Sequence, residues 1–165
     1  MSYNLTGALQ GGNVTLVKAG LTGLSGAATT FSTNALTFAI GAKVPAAKTF
    51  TTAATPTTDA STGVAFKPLV ANQVCVFLFG VDAGGNAKVA QGQAVPWTDT
   101  SANSTAVPFP SLPDTVAPFG YAVIKAGSTT SGNWTFGSSN WNATGIVVDT
   151  PVDIIAPPSS TVLTA

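Results

Sequence analysis

The residue types that could carry chemistry are few and widely spaced. Every base in the 165-residue chain is a lysine (Lys18, Lys43, Lys48, Lys67, Lys88 and Lys125) and every acid an aspartate (Asp59, Asp82, Asp99, Asp114, Asp149 and Asp153). There is no His, Arg or Glu. The chain therefore lacks the usual general base at neutral pH and the commonest metal ligand. It also lacks the bidentate fork that reads phosphate or guanine. Asp149 and Asp153 are the nearest approach to a carboxylate dyad, but four residues of extended strand hold them about 13 Å apart. No DxDxDG-type loop offers a calcium site. Cys75 sits in the most apolar stretch without a His partner, which makes it a buried, inert thiol. Lys67 and Lys125 could act as bases only if burial lowered their pKa; beside strands they read as solvated guards against edge pairing. No catalytic residue, cofactor or metal site is assigned.

Three tryptophans are the other candidates. Trp134 and Trp141 stand in Gly/Ser/Asn-rich turns, where exposed rings would stack on a sugar; the competing reading for Trp97, Trp134 and Trp141 is as anchors of a core or interface. Pro110 to Pro113 forms a PxxP pattern, a motif that aromatic grooves bind. The structural reading of the surrounding 107–120 segment is a stiff crossover that cannot be an interior strand. It would pack Phe109, Leu112 and Phe119 against a sheet edge or another subunit. Asn-x-Ser/Thr triplets at Asn4, Asn13, Asn103, Asn133 and Asn142 reflect an Asn- and Thr-rich composition, because no export signal precedes them.

Composition limits the possible partners. Charged residues make up 7% of the chain, apolar ones 45%, and the net charge is zero; mean hydropathy is +0.37. Scattered lysines give no basic stripe for nucleic acid or for an anionic membrane, and no apolar run approaches the ~18 residues of a membrane span. An uncharged apolar surface tends to associate. An obligate oligomer or lattice component is the expectation, since such interfaces resemble a core cut in half.

The elements that must position these residues read as strands. With 17 Gly and 11 Pro long helices are disfavoured, and apolar residues recur with period two between turn signals. Leu36, Phe38, Ile40, Ala42 and Val44 share one face of a strand. Further strands are expected near residues 13–19, 47–53, 86–95, 120–125 and 145–155, the last broken at Pro151. Residues 74–79 are apolar on both faces, as a central, doubly covered strand requires. Gly and Asn in Asp82-Ala83-Gly84-Gly85-Asn86 favour a hairpin between 74–81 and 87–95. Polar stretches 55–63, 98–106 and 127–133 read as loops with nothing to bury. The expected fold is all-β: an antiparallel β-sandwich or small barrel, jelly-roll or tulip-like, with an extended N-terminal arm over 1–12 and one β-rich domain over 13–165.

Several phrases also carry a resemblance: Lys67-Pro68-Leu69-Val70-Ala71-Asn72-Gln73-Val74-Cys75-Val76-Phe77, the 80–92 stretch, Leu112-Pro113-Asp114, and Pro118-Phe119-Gly120-Tyr121-Ala122-Val123-Ile124-Lys125 with the 136–146 tail. From about Thr49 to Pro157 the chain resembles the capsid decoration, or cement, proteins of tailed bacteriophages. The resemblance implies a non-enzymatic virion protein, made in the host cytoplasm and commonly a homotrimer. Such a protein sits on the outer capsid and ties major capsid protein subunits together. It further implies an arm that lays Tyr3, Leu5 and Leu9 on capsid protein. The N-terminal third departs from that pattern. The alternative is a head-fibre or tail adhesin that binds host glycan through Trp134 and Trp141.

Overall fold

A computed structural model describes residues 12–41, 46–97 and 106–155 and the backbone of 162–164. The expected arm, with Tyr3, Leu5 and Leu9, lies outside the described residues apart from Gly12. So does most of the expected 98–106 loop. The described strands are β1 (Val14–Thr15), β2 (Thr30–Phe31), β3 (Leu36–Ala39), β4 (Ala46–Lys48), β5 (Ala53–Ala54), β6 (Gln73–Asp82) and β7 (Ala87–Gln91). They continue with β8 (Val95–Pro96), β9 (Ala106–Pro108), β10 (Val116–Ala126), β11 (Ile146–Val148), β12 (Val152–Asp153) and β13 (Val162–Thr164). Every pairing is antiparallel.

The most apolar run of the sequence becomes the central strand. β6 lies between β10 and β7 in a six-stranded sheet of order β11-β10-β6-β7, with β12 also on β10 and β8 on β6. Its side chains alternate as the pleat dictates. Cys75, Phe77, Phe79 and Val81 enter one apolar cluster; Val74 and Val76 enter a second cluster on the opposite face. The first face is covered by a three-stranded sheet, β1-β3-β4, by the ribbon β2-β5 and by loops. The result is an antiparallel β-sandwich. The second, or back, face carries β9, which is paired to β13.

Aromatic rings fill the space between the layers. Phe77 stacks on Phe136 with ring centroids 4.6 Å apart, Phe66 lies 4.8 Å from Phe136, and Phe31 lies 5.6 Å from Phe79. Large rings supply much apolar area per residue, which suits a core closed by loops and two-residue strands. The 82–86 turn forms as its residues require: Gly85 takes φ 76° and its N–H reaches the Asp82 carbonyl at 2.9 Å.

The strand β10 corrects one expectation. The proline-rich segment does end in an interior strand, because Pro118 sits where the ladder is already interrupted. Ala117 faces Val81 and Pro118 faces Gly80, but Gly120 faces Phe79, so Phe119 is an extra residue. A bulge tolerates a missing donor, and it changes which side chains face inward. Ala117 and Phe119 enter the main core before it, and Ala122, Ile124 and Ala126 enter the same core after it.

The 55–63 loop corrects another. Thr55 and Asp59 are buried there. Both the amide and the hydroxyl of Thr55 donate to the Thr29 carbonyl, and Asp59 Oδ1 accepts from the Ser61 amide and hydroxyl. Each polar group was buried together with its partner, which makes burial tolerable.

Candidate functional site

Trp134 and Trp141, proposed above as glycan platforms, are core residues. They are 2% and 3% exposed, 5.7 Å apart centroid to centroid. Each indole N–H is committed: Trp134 donates to the Asn140 carbonyl at 2.9 Å and Trp141 to the Thr30 carbonyl at 3.0 Å. The surrounding Gly, Ser and Asn residues form the loops that carry the rings inward. Neither ring offers a free face for a sugar.

The other candidates separate between the two faces of the large sheet. Phe119 is fully buried in the main core. Trp97 and Phe109 are half-buried on the back face with Val95 and Tyr121. Phe109 meets Tyr121 edge to face at 4.9 Å. Leu112 reaches the same face at Gly80, where a Cβ would lie 3.0 Å from Leu112 Cδ1. The crossover is thus held against the sheet, with Pro110 Cδ 3.3 Å from the Cβ position of Gly92.

Apolar groups continue across this face to its edge. Val147 and Val152 lie opposite Lys125 and Tyr121 on β10 and are 50% and 42% exposed. Ile155 is exposed beyond them, and its carbonyl accepts the Thr15 amide at 3.0 Å. That bond brings exposed Leu16 and Val17 to the same edge.

Charge on and around this face is internally spent. Lys125 Nζ lies 2.9 Å from Asp149 Oδ2 and 5.6 Å from the centre of the Trp97 ring, so it is an ion-paired, mostly covered lysine rather than a solvated guard. Asp153 accepts the Gly20 and Leu21 amides through its two oxygens, at 2.9 and 3.0 Å. Asp149 and Asp153 therefore serve different partners. The tie from Asp153 to residues 20 and 21 has no local sequence signal, because 132 residues separate Leu21 from Asp153. Burial lifts the Tyr121 phenol above its ordinary value.

The remaining reactive groups are structural. Burial pushes the Cys75 thiol up to about 12, against the opposing hydrogen bonds from Gln91 and Gly92, and the neighbouring Asp59 charge raises it further. At neutral pH it is a protonated thiol donating to the Gly92 carbonyl at 3.2 Å, whereas a nucleophile must be a thiolate. Asn13 is occupied as well: its amide nitrogen donates to the Asp114 carbonyl and its oxygen accepts the Gly41 amide. Among the described residues no group of three or more His, Cys, Asp or Glu comes together to hold a metal ion. No helix among them is long and apolar enough to cross a membrane. Compared with known proteins, the chain matches no family, no curated protein and no solved structure.

Proposed function

We propose that this protein is a non-enzymatic structural subunit of a tailed-bacteriophage virion. In this reading it acts as a homotrimer on the outer capsid surface and stabilises contacts between major capsid protein subunits. The observation that carries the proposal is the back face. Half-buried Trp97, Phe109 and Tyr121 run into exposed Val147, Val152 and Ile155, while Lys125 and Asp149 neutralise each other. An apolar surface whose charges are already paired loses little on desolvation, which suits it to being covered. The resemblance of residues 49–157 to decoration proteins names the partner.

Cementing needs no covalent step. A subunit that binds only the assembled shell stabilises that state by mass action, and repetition over a symmetric surface multiplies weak contacts. The arm adds reach, and backbone pairing through it would need no charged anchor.

The test is co-sedimentation with capsid shells that lack this protein, comparing the full chain, a chain without residues 1–12, and Val152→Asp. The full chain should pellet with shells and raise their disruption temperature. Each variant should bind at least tenfold more weakly while remaining a folded oligomer. A full chain that stays in the supernatant as a monomer at micromolar concentration overturns the proposal, as does undiminished binding by both variants.

A further inference from the structure

Away from the back face, the 59–68 loop and the ends of β6 and β7 enclose a cavity of about 480 Å³ whose polar wall includes Asp59, Ser61, Lys67, Gln73, Gln91 and Gln93. That volume lies within the range of small-ligand sites. Asp59 is only 7% exposed. Its Oδ1 takes both the Ser61 amide, at 2.8 Å, and the Ser61 hydroxyl, at 2.6 Å, while Oδ2 receives no hydrogen bond from any described residue. A buried carboxylate oxygen without a donor is costly, and a ligand hydroxyl would relieve that cost.

The wall is built and held. Gln91 grips the Lys67 backbone at both ends of its amide, accepting from the Lys67 N–H and donating to its carbonyl, each at 2.8 Å. Gln73 accepts the Val70 amide at 3.1 Å, which orients its NH₂ group as a free donor. Gln93 is exposed, and its amide makes no hydrogen bond to a described residue. Lys67 offsets the charge of Asp59, so the cavity as a whole favours a neutral ligand. Val64, Pro68 and Ala94 supply an apolar side.

A buried acceptor, oriented amide donors and an apolar wall match a molecule with hydroxyls on its edge and C–H groups on its face. We propose that this cavity binds a neutral saccharide unit. Asp59 Oδ2 accepts from one ring hydroxyl, the Gln73 and Gln93 amides bond to others, and Val64 and Pro68 cover the C–H face. The site is independent of the capsid reading, and either stands without the other.

The experiment is a ¹H–¹⁵N titration of the full chain with methyl α-glucopyranoside, methyl α-galactopyranoside and N-acetylglucosamine. At least one should produce saturable shifts at the amides of residues 59–67, 73 and 91–94. Gln93→Ala should weaken that binding by roughly fivefold to tenfold, the worth of about one hydrogen bond, with the melting temperature unchanged. Asp59→Asn should abolish it. Should Asp59→Asn fail to fold, Gln93→Ala alone decides. The proposal is overturned if none of the three sugars gives saturable shifts, if the shifts lie elsewhere, or if Gln93→Ala binds as well as the unaltered chain.

Discussion

The Trp141 indole donates to the Thr30 carbonyl at 3.0 Å, joining residues 111 apart in sequence. This one bond fastens the C-terminal loops to the ribbon β2-β5, while the ring itself packs edge-on against Phe136, 5.4 Å away. Trp141→Phe keeps much of the apolar area but leaves the carbonyl without its donor. Denaturant unfolding should show a loss of about 1–3 kcal/mol, and Trp141→Ala should lose more, about 3–5 kcal/mol, because a cavity is added.

Gly80 marks the tightest crossing of the back face. A Cβ there would meet the Val116 side chain, come within 2.9 Å of the Ala117 carbonyl and within 3.0 Å of Leu112 Cδ1. Both flanking positions belong to the ladder between β6 and β10, so the backbone oxygen has little room to retreat. Gly80→Ala should cost roughly 1–3 kcal/mol by overpacking, read from the denaturation midpoint. An unchanged midpoint would mean that Leu112 and its crossover lift off at no cost.

Acid should destabilise the 82–86 turn through Asp82. Partial desolvation raises this carboxyl, but hydrogen bonds from the Asn86 amide, the Asn86 side chain and the Gly84 amide, with the Lys88 charge 3.6 Å away, outweigh it and hold the carboxyl below its ordinary value. The unfolded chain then binds the proton first, so stability is present above about pH 4 and is lost as pH falls through the folded value. Asp82→Asn should flatten the acid limb of melting temperature against pH. A limb of unchanged steepness would place the acid sensitivity on another aspartate.

Alkali should act through Cys75. Its folded pKa of about 12 lies above the ordinary value of 9.0, so the unfolded chain ionises first and stability declines from about pH 9 upward. Burial of Tyr121 acts in the same direction at higher pH. Cys75→Ala should make that decline shallower, and the native thiol should resist aromatic disulfide reagents until the protein unfolds. Between these limbs, from about pH 5.5 to 8.5, a chain without histidine should melt at a nearly constant temperature.

The Lys125–Asp149 pair tests whether the back-face charges are truly matched. The lysine side chain is 17% exposed and the aspartate 37%, so solvent screens the pair in part. A double-mutant cycle with Lys125→Met and Asp149→Asn should give a coupling of about 0.5–1 kcal/mol that shrinks with added salt.

Sequence period and turn chemistry made the centre of the fold legible. Val74, Val76, Phe77 and Phe79 could only belong to a strand covered on both faces, and Gly85 with Asn86 announced its hairpin. Less was readable where burial depends on distant partners. Trp134 and Trp141 looked exposed because their neighbours are small and polar, while the carbonyls that receive their N–H groups lie elsewhere in the chain. Asp59 looked solvated because its partner Ser61 satisfies it only in one turn conformation. Pro118 looked like a strand breaker, which holds for a regular ladder and fails at an irregular one. Of the interface candidates, Trp97, Phe109 and Leu112 came together on one face, and Phe119 went to the other. The extra residue in β10 accounts for that division, and period alone does not reveal it.

That irregularity makes β10 sensitive to residue number. Deleting any single residue between 117 and 121 would rotate the remainder of the strand by half a pleat, sending Ala122, Ile124 and Ala126 outward and carrying the ammonium of Lys125 into the aromatic interior. Most point substitutions leave a strand's inside and outside where they were. A one-codon change in length here would exchange them, so this short stretch should be the part of the gene least tolerant of insertion or deletion.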